Sequence, residues 1–178
     1  MTTLLANGLC IRPLRRHDAD AFYAAALEST ATVGQWLPWC HPSYSMADAE
    51  QWLQVCEDNL ESGAEYSMGI FSENGELFIG GIGINGINRE HNFAQVGYWV
   101  RQSQQGQGIA LHALMMVASY GFRVLGLTRL EIVVQEDNHG SRRVAEKAGA
   151  SFEGLQKNRL VLHGTPYTAA MYSLTPRA

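Results

Sequence analysis

Three segments in the middle of the chain predict β-strands: the first two alternate apolar and polar residues with the period of two of half-buried strands, and the third continues the strands after a polar turn. They cover residues 66–71, 77–85 and 93–100, and the short polar turns 73–76 and 88–92 separate them. Turns of this length join strands that run antiparallel to each other. The three segments therefore predict an antiparallel meander, and the apolar faces of such a sheet need helices to cover them.

The chain before the meander predicts one strand and two helices. Residues 8–14 have strand character, and the Ala-rich segment 18–27 opens with acids that suit the positive N-terminal end of a helix. Ser45 and Asp48 are spaced as in a capping box, with Asp in place of Glu, and apolar residues then recur at intervals near 3.6. We expect a second, amphipathic helix to begin there.

The chain after the meander predicts a long apolar helix over residues 109–124. The remaining predicted elements are, in order, a strand over 130–134, a helix over 141–148, and strands over 152–162 and 167–174. This order predicts an α/β (α+β) layout around a mixed sheet. Because no Pro- or Ser-rich linker interrupts the sequence, we expect a single domain over residues 1–178.

The composition narrows the class of protein. With 46% hydrophobic residues among 178, the chain can bury a substantial core, and its net charge of −4 does not supply the phosphate neutralisation that nucleic-acid binding needs. No uninterrupted apolar stretch of about 18 residues occurs, so we expect a soluble, cytoplasmic protein without a membrane partner. Three isolated cysteines favour neither a disulfide framework nor a metal site.

The charged residues are unevenly distributed along the chain. Residues 1–65 hold nine acidic and three basic side chains, whereas the remainder has a small positive excess. If both parts flank one cleft, the acidic part would favour a cationic ligand and the basic part a polyanionic one. Two solvated helix faces would produce the same pattern.

Two glycine motifs are candidate phosphate-binding loops. Residues 81–86 read GIGING and satisfy GxGxxG, but another strand follows them instead of the helix that a dinucleotide fold requires. Residues 104–110 read QQGQGIA and lie between a strand and the long predicted helix, where free backbone amides can bind an anion. The second motif is therefore the candidate anion site, with a plain strand-to-helix turn as the alternative.

The second motif also resembles a loop of a known family. The run QGQGIA at residues 105–110 is similar to the [QR]-x-x-G-x-[GA] pyrophosphate loop of the GNAT N-acetyltransferases. Downstream, NHGS at residues 138–141 and VAEKAGASFEG at residues 144–154 resemble the N-x-x-S and EK-x-G…EG motifs of the RimJ/RimL-type branch. The similarity extends to residues 9–14 and 97–100, so it spans nearly the whole chain.

This resemblance implies a GNAT fold, with a mixed, mostly antiparallel, splayed sheet and helices on both faces. It implies direct transfer of an acetyl group from acetyl-CoA, held in the V-shaped opening, to a primary amine in a ternary complex. The implied acceptor is the N-terminal amine of a ribosomal or other protein. The alternatives are a small-molecule amine (an antibiotic, an amino acid or a polyamine) and a non-catalytic acyl-CoA-binding protein. Because many members self-associate, a homodimer is also expected.

The resemblance assigns roles to individual residues. Trp99 and Val100 would pair with the pantetheine arm, and an amide there would polarise the thioester carbonyl. Asn138 would hold the pantetheine, and Ser141 would donate a proton to the departing thiolate, unless its hydroxyl only makes a local backbone bond. The loop residues that would bind the pyrophosphate are Gln105, Gly106, Gln107, Gly108, Ile109 and Ala110.

The resemblance leaves the general base open, because the acids that the family often uses are missing, as at Gln95. The candidates are His112, Glu131, Glu153 and Tyr167, each with a structural role as its alternative. A water relay, or an N-terminal amine with its pKa of about 7.7–8.0, would need no strong base.

The aromatic residues near the first two predicted helices are candidates for the acceptor pocket. Trp36, Trp39 and Trp52 are expected to line it, with Tyr44 nearby, and burial in the core is the alternative. No metal ion is expected to take part.

Overall fold

The computed structural model describes residues 3–176, which form eight strands and four α-helices. The strands are β1 (Leu4–Ala6), β2 (Leu9–Pro13), β3 (Tyr66–Ser72), β4 (Phe78–Asn88), β5 (Phe93–Val100), β6 (Arg129–Gln135), β7 (Ser151–Leu162) and β8 (Thr165–Leu174). The helices are α1 (Ala19–Glu28), α2 (Met46–Ser62), α3 (Ile109–Arg123) and α4 (His139–Lys147). Among the described residues, none of these helices has the length and apolar character needed to cross a bilayer.

All eight strands belong to one sheet, in the order β1-β2-β3-β4-β5-β6-β8-β7. Neighbouring strands are antiparallel except for β5 and β6, which are parallel because α3 returns the chain to the same end of the sheet. The predicted meander is confirmed as β3, β4 and β5, which pair antiparallel in sequence. The mixed, mostly antiparallel sheet of the predicted α/β fold is therefore confirmed.

The sheet splays open between its two parallel strands. Only three residues of β5, Phe93 to Gln95, pair with Arg129 to Glu131 of β6. Beyond this point β5 continues to Val100 and β6 continues to Gln135 without further pairing between them. Backbone groups along the inner edge of β5 are thus left open to a ligand that enters the gap.

Helices cover both faces of the sheet, as predicted. Ile70 and Phe71 are consecutive in β3 and belong to two different hydrophobic clusters, because neighbouring residues of a strand point to opposite faces. The cluster of Ile70 includes Leu114 of α3. The cluster of Phe71 includes Phe22 of α1 and Leu53 of α2.

Local sequence signals explain where α2 begins and ends. The Ser45 hydroxyl accepts a hydrogen bond from the Asp48 amide at 3.2 Å, and the Asp48 carboxylate accepts one from the Ser45 amide at 2.8 Å. This reciprocal pair confirms the predicted capping box. At the other end Gly63 adopts a left-handed conformation with φ of 68°, which is the common way for a helix to end.

Strand β1 was not among the sequence predictions, which placed the first strand at residues 8–14. The structure adds β1 as the partner of β2 in a hairpin. The turn between them is Asn7-Gly8, and both residues have positive φ, at 54° and 73°. An Asn-Gly dipeptide is the preferred sequence for this type of two-residue turn, so the signal was present although the strand itself is only three residues long.

Candidate functional site

A large cavity lies where β5 and β6 separate. Its volume is about 910 Å³, near the upper end of the range for small-molecule sites. It extends from the loop before α3 to the N-terminal part of α4. The sequence-predicted cofactor residues that line it are Trp99, Val100, Gln105, Gly106, Gly108, Ile109, Ala110, Asn138 and Ser141.

The loop before α3 presents free backbone amides to this cavity. Gly106 and Gly108 have φ values of 78° and 76°, a left-handed conformation that glycine adopts without a Cβ clash. The first backbone bond of α3 runs from the His112 amide to the Gly108 carbonyl at 3.1 Å. The amides of residues 107–110 precede this bond and have no acceptor among residues 3–176. Together with the positive end of the helix dipole, they can bind an anion.

The same loop is anchored to the C-terminal end of α1. The Gln105 side-chain amide donates to the Val100 carbonyl at 2.9 Å and to the Thr32 hydroxyl at 3.2 Å. The Gln102 amide donates to the Ser29 hydroxyl at 3.0 Å. The contacts to Thr32 and Ser29 each cross 73 residues of sequence, so the C-terminal end of α1 and the turn after it hold the loop in place.

An ion pair strengthens this anchor. The Arg101 guanidinium donates to the Glu28 carboxylate and, at 3.1 Å, to the Phe78 carbonyl, while the Ser103 amide donates to the other Glu28 oxygen at 2.7 Å. The hydrogen bonds from Arg101 are the main cause that lowers the pKa of Glu28 to about 2, and the Ser103 amide lowers it further.

Replacing Glu28 by glutamine removes the ion pair with Arg101 and is expected to lower the free energy of unfolding at neutral pH by about 1 kcal/mol. The loss is no larger because the carboxylate is partly exposed to solvent. Because the folded-state pKa of Glu28 lies below its ordinary value of 4.5, its stabilising contribution is present above pH 4.5 and is lost as the pH falls toward 2. Thermal melts between pH 2 and pH 7 should therefore show the variant and the wild type converging in acid. Glu90→Gln, on an exposed turn, serves as the control. Curves for Glu28→Gln that stay parallel to the wild type would contradict the assignment.

Asn138 and Ser141 lie at the start of α4, facing the cavity. The Asn138 side-chain oxygen caps the helix by accepting a hydrogen bond from the Ser141 amide at 3.0 Å. The Ser141 hydroxyl donates to the Tyr98 hydroxyl at 3.1 Å, and the Tyr98 hydroxyl donates to the Ser141 carbonyl at 3.1 Å. Burial raises the pKa of Tyr98 to about 12, so this phenol stays protonated at neutral pH. Two hydrogen bonds therefore fix the backbone of Ser141: its carbonyl accepts one from Tyr98, and its amide donates one to Asn138.

Two basic side chains of α4 also line the larger cavity, namely Arg143 and Lys147. Their neighbour Arg142 is held elsewhere, since it donates to the Tyr172 hydroxyl at 3.1 Å and to the Glu136 carbonyl at 3.0 Å. The cavity thus combines free amides at one end with two cations on α4, which fits an elongated ligand that carries several negative charges.

A smaller cavity of about 360 Å³ lies on the other side of β5. Six of the residues that line it are aromatic, and two acidic residues, Asp48 and Glu65, line it as well. Asp48 is the third residue of α2 and completes its capping box, and its hydrogen bonds from Ser45 lower its pKa. Glu65 accepts a hydrogen bond from the Asn59 side chain at 3.2 Å. The aromatic wall consists of Phe22, Trp39, Tyr44, Trp52 and Trp99, and Tyr98 adjoins it where the two cavities meet.

An aromatic cluster holds this wall together. Trp39 packs against Phe22, Tyr44 and Trp99, with ring centroids 5.7, 5.6 and 5.4 Å apart respectively. Such contacts stabilise beyond the area they bury. An aromatic wall that also carries carboxylates suits a cationic group such as an alkylammonium.

The structure separates several residues that the sequence analysis grouped. Trp36 lines the larger cavity, whereas Trp39 lines the smaller one, and Gln107 lines neither although its neighbours do. The four candidate bases, His112, Glu131, Glu153 and Tyr167, line neither cavity.

Two of those candidate bases are engaged in a separate charge cluster. Arg129 donates to Glu131 at 3.0 Å and to Glu153 at 2.7 Å. Its hydrogen bonds, with a further one from the Ser173 hydroxyl, lower the pKa of Glu153 to about 2. A carboxylate with so low a pKa is a poor proton acceptor at neutral pH.

The sequence analysis missed Tyr98, Asp48 and Glu65 as site residues. The signal for Tyr98 was the alternation of β5, which puts its side chain on the face opposite Trp99. The signal for the two carboxylates was the acidic excess of residues 1–65, which gives no indication of which acids face a cavity.

Comparison with known proteins matches residues 8–151 to the acetyltransferase (GNAT) domain family. The ribosomal-protein-serine acetyltransferase of Escherichia coli K12 is 28% identical over 156 residues, which cover 88% of this chain and 86% of that protein. The spermidine N(1)-acetyltransferase of Escherichia coli K12 is 25% identical over 167 residues, which cover 89% and 81% respectively. Among solved structures, RimL, a ribosomal L7/L12 alpha-N-protein acetyltransferase in complex with coenzyme A, is similar with a TM-score of 0.89 and 25% identity, covering 97% of this chain and 96% of that one.

Proposed function

Because this chain belongs to the GNAT acetyltransferase family and is an acetyl-CoA-dependent N-acetyltransferase, we propose that its acceptor is the N-terminal amine of a ribosomal or other protein. One observation carries the proposal: none of the four candidate bases lines either cavity, and the two carboxylates of the smaller cavity already accept hydrogen bonds, Asp48 from Ser45 and Glu65 from Asn59. An N-terminal amine has a pKa of about 7.7–8.0, so a sizeable fraction is already neutral at physiological pH. A lysine-like amine with a pKa near 10.4 would depend far more on a base.

The larger cavity is the proposed acetyl-CoA site. When bound, acetyl-CoA supplies an acetyl group activated as a thioester. The amides at the start of α3 bind the pyrophosphate, and Arg143 and Lys147 neutralise further negative charge. The open edge of β5 near Trp99 and Val100 pairs with the pantetheine arm, and an amide there stabilises negative charge on the thioester oxygen.

Ser141 is the proposed general acid. Its hydroxyl faces the larger cavity on the first turn of α4, and it holds a proton that can move to the departing sulfur. Tyr98 is the proposed positioning residue, because its hydroxyl bonds both the Ser141 hydroxyl and the Ser141 carbonyl.

The smaller cavity is the proposed acceptor site. Trp39, Tyr44 and Trp52 form its wall, and Asp48 and Glu65 attract the ammonium form of the acceptor before it loses its proton to water. This arrangement gives the acidic excess of the first 65 residues a function.

A panel of acceptors tests the proposal. Thiol release from acetyl-CoA is measured with N-terminal peptides of ribosomal proteins, polyamines, aminoglycosides and free amino acids, and mass spectrometry locates the acetyl group. We expect release with peptides and acetylation at the α-amine. Peptides with a blocked N-terminus and a free lysine are the matched control and should stay unmodified. Turnover restricted to small amines would contradict a protein acceptor.

A small-molecule amine is the second candidate acceptor. The two carboxylates in the smaller cavity favour it, because they could bind a second cation of a polyamine, and a spermidine acetyltransferase is among the relatives. In the panel above, polyamine turnover that falls on replacing Asp48 or Glu65 would support this candidate.

We further propose a single domain over residues 1–178 that works in the cytoplasm. The three cysteines, Cys10, Cys40 and Cys56, are buried and unpaired, as suits a reducing compartment. Homodimer formation stays a prediction, which sedimentation of the purified protein can check.

A further inference from the structure

The two cavities meet at a short segment of β5. Only Leu37, Gly97, Tyr98 and Trp99 line both of them among the described residues. Under the proposed function, the acceptor amine comes from the smaller cavity and the thioester lies in the larger one. The amine must therefore reach the thioester at this junction.

A pair of glycines forms part of the wall at the junction. Gly97 of β5 lies directly opposite Gly83 of β4, and cross-strand partners share one face of the sheet. Glycine weakens the interior of a strand, because it adds flexibility and has no side chain to pack. Neither residue has a positive φ, so the backbone conformation does not require glycine at either position.

Packing does not require glycine at these two positions either. A Cβ built on Gly97 would meet no heavy atom within 4 Å. On Gly83 it would be 3.4 Å from the Tyr66 carbonyl oxygen and 3.6 Å from the Ser67 Cα, which are ordinary contacts. Alanine would therefore fit at both positions.

The neighbouring Gly81 shows the opposite case. It lies two residues earlier on the same face of β4, and a Cβ there would be 2.6 Å from the Trp99 indole nitrogen. The Trp99 ring covers Gly81, so this glycine is required by packing within the protein. The Gly83–Gly97 pair is instead left bare in the wall of a cavity, which indicates the close approach of a ligand.

We propose that the Gly83–Gly97 pair is the passage by which the acceptor amine reaches the thioester, and that it determines acceptor specificity. Two side chains missing side by side on one face of the sheet leave room above the strands for a substituent beside the reacting amine. The passage thus admits an amine whose carbon bears a substituent, as in a peptide that begins with a residue other than glycine. This inference rests on the proposed function and adds the acceptor class to it.

The test compares wild type, Gly83→Ala and Gly97→Ala with two matched peptides that differ only in beginning with serine or with glycine. We expect kcat/KM for the serine peptide to fall about ten-fold or more in each variant, and kcat/KM for the glycine peptide to fall less than about three-fold. Unchanged values for both peptides, or equal losses for both, would overturn the proposal.

Two controls separate this effect from changes in the fold or the cofactor site. Both variants should melt at or above the wild-type temperature, because alanine suits a strand better than glycine. Gly83 lines only the smaller cavity, so Gly83→Ala should keep the wild-type affinity for acetyl-CoA. A parallel loss of that affinity would overturn the proposal. Gly81→Ala is the matched structural variant and should lower the melting temperature.

Failure of the proposed protein acceptor would be distinguishable from failure of the passage. If wild type acetylates only small amines, the protein acceptor is wrong. The passage is then tested with a diamine and its counterpart methylated on the carbon that bears the amine. Selective loss of the methylated substrate in Gly83→Ala and Gly97→Ala would support the passage, and equal loss of both substrates would overturn it.

Discussion

Replacing Ser141 by alanine is expected to lower kcat by about 10²-fold or more, which is the usual contribution of a general acid. The variant keeps the local fold, because Asn138 caps α4 through the Ser141 backbone amide and not through its hydroxyl. Tyr98 also keeps its hydrogen bond to the Ser141 carbonyl. The KM for acetyl-CoA should therefore change little.

Steady-state kinetics with the acceptor found in the panel checks this prediction. Ser141→Thr, which retains a hydroxyl, is the conservative variant and should recover part of kcat. Tyr98→Phe removes the positioning hydroxyl while the ring stays buried, and a loss of about ten-fold in kcat is expected from it. Wild-type kcat in Ser141→Ala would exclude Ser141 as the acid. A raised KM for acetyl-CoA with unchanged kcat would make Ser141 a binding residue instead.

Local sequence signals predicted the elements that carry the site. The Ser45 and Asp48 capping box placed the start of α2 correctly, and the polar turn at residues 88–92 placed the start of β5. Both signals lie within a few residues, where backbone preferences and short hydrogen bonds decide the structure. The Asn7-Gly8 turn was equally local, but the three residues of β1 are too few to show a period.

Contacts between distant residues account for what the sequence did not predict. Tyr98 and Ser141 are 43 residues apart, and Glu28 and Arg101 are 73 apart. The order of the strands in the sheet brings these residues together, and neither periodicity nor spacing in the sequence predicts that order. The candidate bases show the same limit. In the sequence Glu153 is an acid without a visible partner, whereas in the structure Arg129 binds it from a strand 24 residues away.

The splay of the sheet has the same origin. It depends on β5 and β6 pairing over only three residues, although both strands read as continuous in the sequence. The resemblance to GNAT proteins predicted a splayed sheet, whereas the alternation of apolar and polar residues does not predict where two strands stop pairing. The different roles of Gly81 and Gly83 also depend on a contact between strands. The Trp99 ring packs over Gly81 and leaves Gly83 uncovered, which the sequence does not show.

Replacing Gly108 by alanine is expected to weaken acetyl-CoA binding about ten-fold or more. Gly108 is the N-cap of α3 and has a φ of 76°, a backbone conformation that strains an L-residue by about 1 kcal/mol. Packing adds no further cost, because the new Cβ would meet only His112, at 3.9 Å. Relief of that strain would turn the adjacent amides away from the pyrophosphate. Loss of one charge-assisted hydrogen bond costs about 1.5–3 kcal/mol, and 1.4 kcal/mol is about ten-fold in affinity.

Gly75 provides the matched control for this prediction. It has the same φ of 76° in the turn between β3 and β4, with open space around its Cβ position, and it lines neither cavity. Gly75→Ala and Gly108→Ala should therefore lose similar stability in thermal melts, while calorimetric titration with acetyl-CoA should show a loss of affinity only for Gly108→Ala. Equal affinity in the two variants would mean that the amides before α3 do not hold the pyrophosphate, and the anion site would then have to be sought at Arg143 and Lys147.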